Sequence, residues 1–119
     1  MAEELVALMS HGPTDERASV GFTVVNGGLS SGLTASVFLT ADAVDIARRG
    51  ATDLVHAHPM EPLKELVADF LARGGTLWAC PPCVKARGYG QEDLIDGVQI
   101  IGASAMHDRI KAGAATLSF

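Results

Sequence analysis

The chain has 119 residues, 48% of them hydrophobic, and a formal net charge of −5. This length suits one domain spanning residues 1–119, and the composition suffices for a core without covalent staples. With no basic run to complement phosphate, nucleic acid and anionic membranes are excluded as expected partners. No apolar run reaches the roughly 18–20 residues that cross a bilayer. The acidic start, Met1-Ala2-Glu3-Glu4, lacks the basic region of a secretory signal, so a cytoplasmic location is expected. There the two cysteines, Cys80 and Cys83, are more readily reactive or metal-binding than a structural disulfide.

Leu5 to Met9 is a continuous apolar run of the kind that forms a buried parallel strand. It ends in the loop signal Ser10-His11-Gly12-Pro13. Thr14-Asp15-Glu16 then reads as a helix start with an acidic first turn. Ala18, Phe22, Val25 and Leu29 recur at helical spacing, which predicts a helix from Asp15 to Ser30. Val20, Phe22 and Val24 also alternate as in a strand. Ala35 to Leu39 is the second predicted strand, ending at Thr40. A short helix is expected over Asp42–Arg49, closed by Gly50, followed by a short extended piece from Asp53 to Ala57.

Glu61-Pro62 opens the clearest helix, with Leu63, Leu66, Val67, Phe70 and Leu71 on one stripe. Arg73-Gly74-Gly75 ends it, and Thr76 to Ala79 forms the third strand. A short acidic helix is expected from Gln91 to Asp96 and a fourth strand from Val98 to Ile101. A helix over Ala103–Lys111 should turn Met106 and Ile110 inward, before a last strand from Ala114 to Leu117. Strands alternating with helices imply parallel βαβ units. The expected fold is therefore an α/β three-layer α/β/α sandwich with a mainly parallel sheet of about five strands. Reactive groups in such sheets gather beyond the carboxyl ends of the strands, where Ser10, His11, Thr40, Cys80 and Gly102-Ala103-Ser104 all fall.

Cys80-Pro81-Pro82-Cys83 carries the sharpest chemical signal. Proline suits a first helical turn, whose N–H groups lack intrahelical partners. Cys80 is thus expected to cap a short helix from Pro81 to about Arg87, with the N–H groups of Cys83 and Val84 directed at its sulfur. Those donors, the helix dipole, Lys85 and Arg87 would lower the pKa of Cys80 and make its sulfur nucleophilic. Cys83 would be the accessory thiol. His11 is a candidate general acid or base near Cys80. His56, His58, Cys80 and Cys83 form an alternative four-ligand zinc set, although H-x-H alternates faces in an extended segment. Ser10-His11-Gly12-Pro13 lacks the glycine run and Lys-Ser/Thr of a P-loop, so no nucleotide or other cofactor is expected. Trp78 reads as core or subunit interface.

The order of these features resembles the DsrE/DsrF-like family, whose fold is also called YchN-like. The resemblance rests on strand–Ser-His-Gly-Pro–helix, on Phe38-Leu39-Thr40-Ala41-Asp42-Ala43-Val44, and on Pro62-Leu63 through Gly74-Gly75. It continues through Cys80, Arg87-Gly88, Asp93-Leu94-Ile95 and Gly97-Val98. It implies a parallel five-stranded sheet between helix layers and a trimer or hexamer, homomeric or built from related subunits. It also implies that Cys80 carries a persulfide between sulfur-donor and sulfur-acceptor proteins. Cys83 departs from that pattern and suggests a disulfide-forming or sulfide-releasing variant. Two other functions compete: a thiol–disulfide redox protein using both cysteines, and a non-catalytic oligomeric binding protein.

Overall fold

The computed structural model describes residues 2–119, so Met1 of the acidic start lies outside the described residues. The apolar runs become strands β1 (Glu4–Met9), β2 (Thr34–Leu39) and β3 (Thr76–Ala79), with β4 (Val98–Ile100) and β5 (Ala115–Ser118) at the edges. All pairings are parallel and the order is β4-β3-β2-β1-β5. The three central strands are the most apolar because both of their faces are covered. β5, by contrast, is exposed along its whole length.

Successive strands β1 to β4 step across the sheet in one direction. Their connecting segments are helix α1 (Glu16–Ser30), a 3-10 helix (Ala41–Ala47), helix α2 (Leu63–Ala72) and helix α3 (Pro81–Ala86). All of these contribute to one core on one face, where Phe22 of α1 meets Phe70 of α2 edge-on with ring centroids 5.7 Å apart. Asp15 caps α1 by accepting the Arg17 N–H at 2.9 Å. Val24, which a strand would have buried beside Phe22, is 39% exposed, so the helical reading of this segment holds. A Cβ on Gly21 would lie 2.6 Å from the Met9 side chain, which is why α1 can lie so close to β1. Helix α4 (Ser104–Lys111) connects β4 to β5 and is, among the described residues, the one helix covering the opposite face, over Val6, Phe38 and Trp78. The sandwich has three layers, but the third is one helix wide.

Several local expectations need correction. The helix expected over Asp42–Arg49 is a 3-10 helix ending at Ala47, and Arg48 is extended, bridging antiparallel to Leu94. Tertiary bonds draw the chain out there: the Ile95 N–H donates to the Ala47 carbonyl at 2.8 Å, and the Arg49 N–H to that of Asp93 at 2.9 Å. The same bridge shortens the predicted Gln91–Asp96 helix to one 3-10 turn, Gln91–Asp93. The Asp93 carboxylate closes that turn on the Gly90 N–H at 2.8 Å. Asp53 to Ala57 is not extended; it lies in successive turns and loop. Helix α4 buries no residue fully, and Ile110 is 36% exposed. Met106 touches the Val6–Phe38–Trp78 cluster, but among the described residues no second helix packs beside α4 to close over it.

Candidate functional site

Register brings the predicted strand-end residues into one row. Met9 pairs with Leu39, and Leu39 with Ala79, so Ser10, Thr40 and Cys80 each lie one residue beyond the aligned ends. The ladder continues through them: Thr40 N–H donates to Met9 O at 2.9 Å, and Cys80 N–H to Leu39 O at 3.0 Å. Ser10 stands two strands from Cys80, roughly 10 Å away at ordinary spacing. The Thr40 hydroxyl is spent on the Met9 carbonyl at 3.0 Å. His11 is half-buried with Nδ1 unpartnered, and among the described residues no hydrogen bond joins it to either thiol. Its positive form helps depress the carboxyl of Asp15, which Arg17 chiefly holds well below the usual carboxylate range.

Cys80 caps α3 with Pro81 and Pro82 in the first turn, as the sequence indicates. The electrostatics of the thiol are the reverse of the expectation. The Val84 N–H is spent on the Cys80 carbonyl at 3.0 Å, and the sulfur receives no capping hydrogen bond. Burial pushes the Cys80 thiol above its ordinary value, and the neighbouring Cys83 thiol adds to that; the Cys83 N–H only partly offsets them. The cations contribute less than expected. Lys85 is exposed on the short helix. Arg87 is turned to carboxylates, 2.8 Å from Asp42 and 3.8 Å from Asp45. Its other arm donates to the Cys83 carbonyl at 3.1 Å. The Tyr89 hydroxyl donates to Asp45 at 2.6 Å, which raises the phenol above its ordinary value.

The two sulfurs are neighbours, joined by a hydrogen bond of 2.8 Å. Both cysteines are free and half-buried. The backbone donor that reaches a sulfur comes from an unexpected place: the Ala41 N–H donates to Cys83 Sγ at 3.3 Å. Ala41 has φ 49°, a left-handed conformation that costs an L-residue about 1–2 kcal/mol. Ala41, Asp42, Asp45 and Tyr89 are site residues that sequence reading missed. Nothing marks an alanine for positive φ, and the carboxylate partners of Arg87 and Tyr89 lie more than forty positions away.

The zinc alternative does not assemble. His56 and His58 stack on each other with centroids 3.8 Å apart, and His56 Nε2 meets the Met60 carbonyl at 2.9 Å. Among the described residues no group of three or more His, Cys, Asp or Glu side chains is arranged to hold a metal ion. Likewise, no described helix is long and apolar enough to cross a membrane.

A sequence profile of the DsrE/DsrF-like family matches residues 4–119. An uncharacterized protein of Methanopyrus kandleri, MK0008, is 30% identical over 95 residues, which are 80% of this chain and 73% of that one. An uncharacterized protein of Methanocaldococcus jannaschii, MJ0760, is 33% identical over 89 residues, 74% of this chain but only 32% of that protein's length. The crystal structure of the ychN protein from E. coli superposes with a TM-score of 0.80, all of each chain covered, at 22% identity. That likeness is one of fold.

Proposed function

The chain belongs to the DsrE/DsrF-like family, a family associated with sulfur relay, and on that footing we propose that it is a cytoplasmic sulfur carrier using Cys80. The observation that carries this reading is the paired thiol site, two free sulfurs 2.8 Å apart at the carboxyl edge of a parallel sheet. The Cys80 thiolate attacks a sulfane sulfur of a donor persulfide or polysulfide. The donor's S–S bond breaks, the donor leaves as a thiolate, and Cys80 holds the sulfur as a persulfide. An acceptor thiolate then attacks the outer sulfur and Cys80 leaves. Cys83 offers a second fate, attack on the inner sulfur with release of sulfide. Because burial raises the Cys80 pKa, loading should accelerate as pH rises, since the thiolate is the reacting form.

Incubation of the reduced protein with polysulfide should add about 32 Da per sulfur to Cys80, read by peptide mass spectrometry. No adduct on the wild type, or an equal adduct on Cys80→Ser, would overturn the assignment. The adjacency of the two free thiols also favours a second reading, a dithiol redox protein. Insulin reduction, with a potential near the cytosolic poise, would select it. We further propose a homo-oligomer, trimeric or hexameric, meeting donor and acceptor proteins at this edge. The half-covered α4 face, with Ile101 and Ile110 each more than a third exposed, and the exposed edge strand β5, with Leu117 equally open, support assembly.

A further inference from the structure

The turn after β2 holds Cys83 from two sides. At the sulfur, the Ala41 N–H donates across 3.3 Å. At the backbone, Arg87 bonds the Cys83 carbonyl at 3.1 Å while anchored to Asp42, the residue after Ala41, at 2.8 Å. Among the described residues Ala41 is the only non-glycine with positive φ, so the strain falls on the residue whose amide meets the sulfur. Strain of this kind persists only where the surroundings over-determine it, and it gathers at functional positions. Cys80 is held differently. Its own N–H goes to Leu39 and the Val84 N–H to its carbonyl, and its side chain packs against the apolar clusters on both faces of the sheet.

Resting on the sulfur-carrier reading, we propose that the Ala41 backbone amide is a positioning donor that makes Cys83 the attacking sulfur of the pair, aimed at Cys80. The N–H pairs with the Cys83 sulfur and fixes its direction. With a persulfide on Cys80, the Cys83 thiolate attacks the inner sulfur, Cys80 Sγ. A Cys80–Cys83 bond forms, the bond to the outer sulfur breaks, and that sulfur leaves as HS⁻. The sulfane sulfur gains two electrons and the two thiols become a disulfide. A dithiol reductant then returns both thiols and is itself oxidised to a disulfide. Transfer to an acceptor differs in attacking the outer sulfur and leaves Cys83 unused, so Ala41 governs release and not transfer.

The test compares wild type with Ala41→Gly, which keeps the amide and tolerates positive φ, and Ala41→Val, whose β-branched side chain disfavours it. Asp42→Asn serves as a third variant that loosens the Arg87 arm. Reduced protein receives limiting iodoacetamide at one pH, and label on Cys83 and Cys80 is counted by peptide mass spectrometry. Disulfide closure by diamide is timed in parallel. Ala41→Gly should match the wild-type ratio of Cys83 to Cys80 label. Ala41→Val should lower the Cys83:Cys80 ratio and the closure rate by roughly fivefold to tenfold, the worth of one ordinary hydrogen bond. Asp42→Asn should move both in the same direction by less. A wild-type ratio in both Ala41→Val and Asp42→Asn overturns the proposal, as does an Ala41→Gly protein impaired as much as Ala41→Val. Polysulfide loading in the same samples separates the two claims. No adduct on Cys80, with Cys83 labelling still dependent on Ala41, would remove the sulfur-carrier reading and leave the positioning role standing.

Discussion

The two faces of the sheet differ in how completely they are closed. Under α1, α2 and the 3-10 helix, Phe22, Phe70, Leu63 and Ile46 are at most 1% exposed. Under α4, the Val6–Phe38–Trp78 cluster has one helix for cover, and a groove of about 550 Å³ runs between that helix and β5, lined by Leu8, Met106, Ile110 and Leu117. The first face has the packing that makes a chain fold. The second leaves apolar surface open, and the edge that carries Cys80 borders both. Closure is therefore uneven across one sheet.

Truncation is the strongest way to break this comparison. Phe70→Ala should cost about 3–5 kcal/mol, because a fully enclosed ring leaves a cavity behind. Met106→Ala, on the open face of the monomer, should cost about 1 kcal/mol or less. Urea unfolding measures both, and equal losses would mean that the α4 face is as tightly closed as the other. Next in size is Arg87→Ala, which removes the charged hydrogen bond to Cys83 and the pair with Asp42. It should cost about 1.5–3 kcal/mol if both bonds count fully. A loss below about 1 kcal/mol would place Arg87 with ordinary exposed ion pairs.

Charge on the exposed edge strand β5 gives a cleaner separation. Leu117→Arg should leave monomer stability within about 0.5 kcal/mol while shifting the proposed oligomer to lower mass in light scattering. An unchanged mass would remove β5 from any interface. The smallest effect is a pH dependence at the thiol edge. The folded-state pKa of Cys80 lies above its ordinary 9.0, and that of Tyr89 above 10.0. The folded protein therefore holds protons that the unfolded chain has lost, so stability is full below about pH 9 and falls as pH rises through the raised values. Cys80→Ser should flatten the first part of that decline and Tyr89→Phe the second, read by thermal unfolding from pH 8 to 11.

Much of the fold is legible in runs of residues. Leu5–Met9, Ala35–Leu39 and Thr76–Ala79 announce buried strands, and the stripe from Leu63 to Phe70 announces α2, because these patterns depend only on side chains a few positions apart. What failed depends on distant partners. Arg48 and Arg49 continue a helical pattern, yet the segment around Leu94 pulls them into an extended bridge. Met106 and Ile110 have helical spacing, but whether that stripe is buried depends on how many helices share the face.

The sequence by itself determined that this chain is α/β, that its strands are parallel and the first three buried, and that Cys80 stands at a strand end with proline opening the helix behind it. Those are consequences of local periodicity and of proline's fixed backbone. Only the tertiary structure decided the electrostatics of the two thiols. Burial and the adjacent Cys83 act on Cys80 against the helix start, Arg87 is claimed by Asp42, and the amide that meets a sulfur comes from Ala41, 42 residues away, and reaches Cys83. A thiol's charge is set by whatever packs around it, and in a parallel sheet those neighbours come from separate strands.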